Sequence, residues 1–360
     1  MKIESSKHFI LLDFYRYLAA FGVLLLHFTE FARYDQKAGV GLAVFNFYLF
    51  VDFFFILSGF VIGVSYFEKV DTPSKIFIFL RRRIARIYPL HILTLTLYLL
   101  PAIVGLSFNP AKYRLNEIAS QILLYQSWCL NQPAPLNFPA WSISVEWGMY
   151  LLFPALVLIA RGFGNLGLMA IIAIGFWAHE VVLRDHLVTP NLWFVEISLI
   201  RALPTFSIGL LISRSYRMLQ FPYGEPISVS AFCAAIGSML ILLSPYITIG
   251  LFSVTIITAA AARYQLFSAP ILKQLGDASY GLYMFHSITL AVAAREIWPR
   301  LYPGHVPPLW QAFLIGGVTT VVALIMFRVF EKPARRFISG GPWRWRHAEG
   351  ESLAKSDYAV

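Results

Sequence analysis

The sequence predicts an all-α polytopic membrane protein: a bundle of about ten transmembrane helices with both termini cytoplasmic. Three observations predict it. The chain is 58% hydrophobic and 13% charged, with a mean hydropathy of +0.66, which lies outside the range of soluble domains. Apolar runs long enough to span a bilayer recur along nearly all 360 residues. The cations are also segregated. With the N-terminus inside, 19 of the 29 Lys and Arg fall in inner segments and 7 in outer ones, while Arg16, Arg201 and Arg328 lie within spans. That asymmetry accounts for most of the net charge of +10. No nucleic-acid motif accompanies it, so nucleic acid is not an expected partner.

The expected spans are 9–29, 43–67, 84–106, 141–161, 165–182, 193–213, 226–243, 246–262, 277–297 and 309–331. Trp128, Trp141, Trp193, Trp298 and Trp310 flank them as interfacial belts do. Lys2 and Lys7 before an apolar run resemble a signal peptide, but the run is long and lacks a small-residue cleavage site. A retained first span is the expectation. The longest outer segment, 107–140, contains an amphipathic stretch, Leu115 to Trp128, that reads as an interfacial helix or as a lid over the outer mouth. One membrane domain is expected over 9–337, followed by a polar, disordered cytoplasmic tail over 338–360. Cys129 and Cys233 suggest neither a disulfide framework nor a metal site. No internal repeat and no appended soluble domain is visible.

Ionisable groups inside spans mark candidate function, because hydrocarbon makes them costly. Arg16 and His27 lie eleven residues apart in the first span. At 100° per residue they share one helix face, and at about 1.5 Å per residue they stand roughly 16 Å apart along the axis. Asp13, three residues before Arg16, can pair with it. Glu146 enters the fourth span from the outer side at a depth matching His27. An imidazole beside a carboxylate is the arrangement of a base held in one tautomer by an orienting acid. Satisfaction of each group by a neighbouring helix is the bland reading. Arg81, Arg82, Arg83 and Arg86 cluster before the third span, with Arg83 and Arg86 on one helix side. Such guanidinium pairs suit phosphate oxygens, although a cytoplasmic anchor needs no more. Asp52 and Arg201 match in depth and are expected to form a structural ion pair. Ser58-Gly59, on the helix of Asp52, would permit a close helix contact. His286, after Tyr280 and Tyr283, either lines a path or is a hydrogen-bonded core residue. Nucleophile-elbow, zinc, Walker and dinucleotide motifs are absent, leaving a His-based mechanism with a soluble anionic donor as the natural enzyme hypothesis.

Six fragments in order carry a resemblance. They are Leu12 to Ala20 followed by His27; Val51 to Phe60; Arg83 to Pro89; Trp141-Ser142-Ile143-Ser144-Val145-Glu146; Leu275 to His286; and Phe330 to Ala334. Together they resemble the integral-membrane acyltransferase-3 family over about 11–337, including its R-x10-H spacing and R-x-x-R element. Phe14 and Tyr17 depart from the pattern, where small residues are frequent. Their bulk would either narrow a donor passage or close a helix contact. No esterase-like domain of the kind some members append is seen, so the chemistry is expected within the membrane part.

The resemblance implies transfer of an acyl group, acetyl as the usual one, from acyl-coenzyme A to a hydroxyl of an exported or lipid-linked saccharide. In that reading Arg16, Arg83 and Arg86 bind the donor, and His27 is the general base with Glu146 orienting it. An acyl-His27 intermediate is the chemical alternative. Asp13, Asp52, Ser58, Trp141, Ser142, Arg201, Tyr280 and His286 line the path or hold the structure. No bound metal or permanent cofactor is expected; the partners are acyl-CoA, the acceptor and the bilayer of a bacterial inner membrane. A small-molecule O-acyltransferase and a transporter of glycan precursors are the rival readings. Buried polar residues would suit a transporter too, but paired broken spans in two repeat halves are not visible.

Overall fold

A computed structural model describes residues 9–103, 115–128, 136–185, 198–264 and 266–340. Among the described residues the chain is helical throughout, with no named strand and one isolated bridge between Phe221 and Ala262. The helices are α1 (Ile10–Phe31), α2 (Gly39–Val44), α3 (Phe50–Tyr66), α4 (Pro73–Ile103), α5 (Leu115–Ile122), α6 (Ala140–Gly162) and α7 (Gly164–Asp185). They continue with α8 (Ser198–Ser215), α9 (Gly224–Leu240), α10 (Pro245–Ala260), α11 (Pro270–Val292), α12 (Trp298–Leu301), α13 (Trp310–Met326) and α14 (Lys332–Ser339). The tail expected to be disordered falls, beyond Gly340, outside the described residues.

Among the described residues five helical stretches are long and apolar enough to cross a membrane: Ile10–Phe31, Gly39–Tyr66, Ala140–Gly162, Gly164–Val182 and Trp310–Ser339. The other expected spans also form helices. Of these, α9 and α10 are short, at 17 and 16 residues. The rest carry charge: α4 holds Arg81 to Arg86, α8 holds Arg201 and Arg214, and α11 holds Lys273 and Asp277. The helix α4 begins eleven residues before the expected 84. Thr72 and Pro73 form its start, with the Thr72 hydroxyl accepting from Lys75 N–H at 3.4 Å, and proline is preorganised for a first helical turn. The arginine cluster therefore lies inside a continuous helix. Similarly, a short 3₁₀ turn, Phe45–Leu49, joins α2 to α3 inside one expected span.

The core is built on two close helix pairs. Helix α3 packs on α8 where Gly59 and Gly63 face Phe206 and Ser213, and Gly209 faces Ile56. A Cβ at any of these positions would collide with the opposing helix, so the small residues set the spacing. The expected close contact at Ser58-Gly59 is this one. Helix α1 packs on α11, with Gly276 against Asp13. Burial ranks the stretches: the apolar window of Gly39–Tyr66 is 78% buried, whereas those of α7 and Trp310–Ser339 are 22% buried. The former is central and the latter two turn apolar side chains such as Trp177, Val321 and Ile325 outward, as lipid-facing helices do.

The stretch 115–128, expected at the outer face, is tied down by hydrogen bonds rather than floating. The His91 ring pairs with Gln121 O at 2.8 Å, Asn137 N–H donates to Gln121 Oε1 at 3.0 Å, and Trp128 Nε1 donates to Ser144 O at 2.8 Å. These partners are largely buried, and satisfied buried polar networks rigidify what they join. The stretch 115–128 thereby ties α4, at His91, to the first turns of α6, at Ser144.

Candidate active site

Both members of the Arg16–His27 strip face α11. Arg16 donates from Nε to Ser279 Oγ at 2.8 Å and from Nη2 to Gly276 O at 2.9 Å, and meets Asp13 Oδ1 at 3.0 Å. Three turns further along the same face, the His27 ring stacks on that of His286, with centroids 5.1 Å apart and planes 18° apart. The period of α1 thus delivers both groups to one neighbour.

At the Arg16 end lies a cavity of about 100 Å³. Arg16, Arg83 and Arg86 contribute cations to its wall, and Ser58, Ser142, Glu146, Tyr150, Tyr280 and Tyr283 contribute polar groups. Arg83 is 4% exposed; its Nη2 donates to Tyr66 OH at 3.3 Å and its guanidinium lies 5.0 Å over the Tyr66 ring. Its Nε is buried without a hydrogen-bond acceptor. Burying an unpartnered charged donor costs free energy. Tyr280 donates its hydroxyl to Ile87 O at 2.6 Å and so pins α11 to α4 beside the arginines.

Glu146 belongs to this cavity. Its Oε1 accepts from Ser58 Oγ at 2.9 Å and also from Tyr150 OH. The expected partnership of Glu146 with His27 is therefore corrected: the depth match expected between them does not hold, because Glu146 lines the cavity at the Arg16 end. Instead the carboxylate beside His27 is Glu30, three residues on, with Oε2 2.7 Å from Nδ1. A carboxylate only accepts when ionised, so Nδ1 carries the proton in this contact and Nε2 is left as the basic nitrogen. Phe138 meets the ring edge-on at 5.2 Å. Glu30 was legible as an i, i+3 neighbour on the helix of His27; comparison of depths between spans passed over it.

A partition separates the two ends. Ser142 Oγ and Tyr283 OH lie 2.7 Å apart and both line the cavity, whereas His27 and His286 do not. The Phe54 ring packs edge-on against Tyr283 at 5.8 Å. On its far side Tyr283 offers its carbonyl to His286 Nδ1 at 2.5 Å. His286 is fully buried and its Nε2 has no hydrogen-bond partner. Ser142 and Tyr283 thus stand between the arginine-lined cavity and the stacked imidazoles. Trp141, beside Ser142, is buried in the apolar core and serves packing.

Asp52 and Arg201 form the expected buried pair, with Nε to Oδ1 at 3.0 Å and Nη2 to Oδ2 at 2.5 Å, at 1% and 5% side-chain exposure. This fork ties α3 to α8 and is structural. The bulky Tyr17 hydroxyl meets Thr320 Oγ1 of α13 at 3.1 Å and is not in the cavity wall, so its bulk closes a helix contact.

Comparison with known proteins bears on what this arrangement does. Residues 9–328 match the family model described as an acyltransferase domain. The chain belongs to the acyltransferase-3 family. It is similar to the acyltransferase MdmB of Streptomyces mycarofaciens, with 28% identity covering 90% of each chain. Nodulation protein 10 of Rhizobium leguminosarum bv. viciae is 24% identical over 92% of this chain and 95% of its own. The peptidoglycan O-acetyltransferase OatA of Listeria monocytogenes is 24% identical over 79% of this chain and 51% of its own length. No solved structure matches. The protein is thus an acyltransferase of a membrane family, and the cavity and imidazole pair of this acyltransferase are the candidate site of its chemistry.

Proposed function

We propose that this acyltransferase crosses the bacterial inner membrane about ten times, with both termini cytoplasmic, and moves an acyl group from acyl-CoA to a saccharide hydroxyl. Acetyl is the acyl group we favour, and an exported or lipid-linked saccharide the acceptor. One observation carries the reading: three guanidinium groups and a basic imidazole are arrayed along α11, on either side of a single tyrosine layer. The cationic cavity suits the phosphates of coenzyme A. Its narrow polar interior suits the thioester arm, with the Glu146 carboxylate able to accept from amide N–H groups.

In the proposed step the thioester passes between Ser142 and Tyr283 and meets the acceptor beside His27. His27 Nε2 takes the proton from the acceptor hydroxyl as its oxygen attacks the thioester carbonyl carbon. The C–S bond then breaks, the ester forms, and the thiolate of coenzyme A takes the proton from the imidazolium. Glu30 holds Nδ1–H throughout and offsets the transient positive charge. Attack by Nε2 itself, giving an acyl-His27 intermediate, is the chemical alternative.

The test is acyl transfer from radiolabelled acetyl-CoA in membranes containing wild-type protein or His27→Ala. Transfer that disappears in the variant, with the protein still folded, supports the role of His27; retained transfer removes it. Mass spectrometry of surface polysaccharide from a strain lacking the protein reads the acceptor. An unchanged polysaccharide would point to a small hydroxyl compound instead.

A further inference from the structure

A second concavity lies between the ends of α3 and α8, apart from the arginine-lined cavity. Its volume is about 350 Å³, and Phe67, Glu68, Lys69, Arg214, Tyr216 and Arg217 contribute to its wall. It lies at the end of the bundle that holds Arg83, because the Tyr66 ring carries Arg83 at 5.0 Å and Lys69 at 5.9 Å. Three cations converge on it. Its single carboxylate, Glu68, lies 3.6 Å from a fourth, Arg161, so the wall keeps a positive surplus.

The cations are held in place before any ligand arrives. The Arg214 guanidinium lies 4.5 Å over the Phe67 ring and donates from Nε to Asn165 Oδ1 at 2.7 Å. Arg161 approaches the same ring at 5.8 Å and donates to Phe67 O at 2.9 Å. Arg217 donates from Nε to Tyr216 OH at 3.0 Å. Among the described residues neither the Lys69 ammonium nor the terminal nitrogens of Arg214 donate to a protein acceptor. Helix C-termini favour cations, which accounts for the sign of these charges. It does not account for three of them facing one concavity, with Lys69 and Arg214 retaining unspent donors. Preorganised guanidinium and ammonium groups around a concavity are the recognition chemistry of a phosphate, and basic pockets between membrane helices take acidic head groups.

We infer that the concavity formed by Lys69, Arg214 and Arg217 is a phosphate-binding site, filled by an anionic phospholipid head group or by a phosphate of the acyl-CoA donor. The inference does not require acyl transfer to a saccharide and stands or falls on binding. Its test uses the full chain in nanodiscs, with Lys69→Gln/Arg214→Gln/Arg217→Gln compared with a charge-matched control, Lys273→Gln/Lys332→Gln/Arg336→Gln. One arm measures the thermal shift on replacing phosphatidylcholine by phosphatidylglycerol or cardiolipin. The other measures binding of coenzyme A against 3′-dephospho-coenzyme A. A lipid site predicts an acidic-lipid stabilisation lost in the pocket variant and kept in the control. A donor site predicts a preference of about tenfold for coenzyme A, lost in the same selective way. If the triple variant fails to fold, Lys69→Gln/Arg217→Gln replaces only the two exposed cations and should weaken whichever discrimination wild type shows. The inference is overturned if wild type discriminates in neither arm, or if pocket and control variants behave alike.

Discussion

The two ends of the strip on α1 handle charge differently. Arg16 is fixed by Ser279, Gly276 and Asp13 and opens onto a cavity it shares with two more arginines. His27 has one carboxylate, half-exposed Glu30, and an aromatic surround of Phe138 and His286. A multiply anchored cation suits binding, where a fixed charge must wait for an anion. An imidazole with one nitrogen held and the other free suits proton transfer, where the group must change charge. In the function proposed above, that difference corresponds to donor binding at one end and chemistry at the other, with Tyr283 between them.

The largest effect that could break this division is at His27. Replacement by Ala or Gln should lower the transfer rate roughly 10²- to 10⁴-fold without changing the melting temperature of the purified protein; a rate near wild type would end its assignment as base. Next in size is Asp52→Ala, expected to destabilise the fold by about 3–5 kcal/mol by leaving the buried Arg201 charge without its carboxylate. Chemical denaturation reads this, and unchanged stability would show that the pair does not hold α3 to α8.

The same comparison shows what could be read from residues alone. The shared face of Arg16 and His27 was legible because helical period is geometry. Depth matching succeeded for Asp52 and Arg201, whose helices α3 and α8 pack through glycines. It failed for His27 and Glu146, because Glu146 turns to Ser58 and Tyr150 and lines the cavity at the Arg16 end. Span position supplies one coordinate of a buried group; the helix neighbour supplies the other, and that comes only from packing. The Ser142–Tyr283 partition was invisible for the same reason, being a contact across 141 residues between α6 and α11. The early start of α4 was obscured by hydropathy, since Arg81 to Arg86 depress it without breaking the helix.

Smaller effects sharpen the division. Glu30→Gln should lower kcat roughly tenfold to a hundredfold at unchanged KM for the donor, whereas loss confined to KM would place Glu30 in binding. Conversely, Arg86→Gln should raise the KM for acyl-CoA by roughly tenfold with kcat little changed. Arg83→Lys should not restore donor binding, because an ammonium cannot reproduce the guanidinium fork. The smallest change is expected from Tyr283→Phe. Removing one hydrogen bond of about 1 kcal/mol shifts the partition by about fivefold, seen as faster hydrolysis of acyl-CoA without acceptor; an unchanged background rate would mean that the Ser142–Tyr283 contact does not control passage.

The division itself is tested by labelling from each side of the membrane with radioactive bromoacetyl-coenzyme A, whose reactive carbon occupies the place of the transferred acyl group. In sealed vesicles of known orientation, the peptide bearing His27 should be alkylated only when the reagent is supplied at the face carrying Arg83 and Arg86, and not in an Arg83→Gln/Arg86→Gln variant. Alkylation of His27 from the opposite face, or undiminished labelling in that variant, would contradict donor delivery through the arginine-lined cavity.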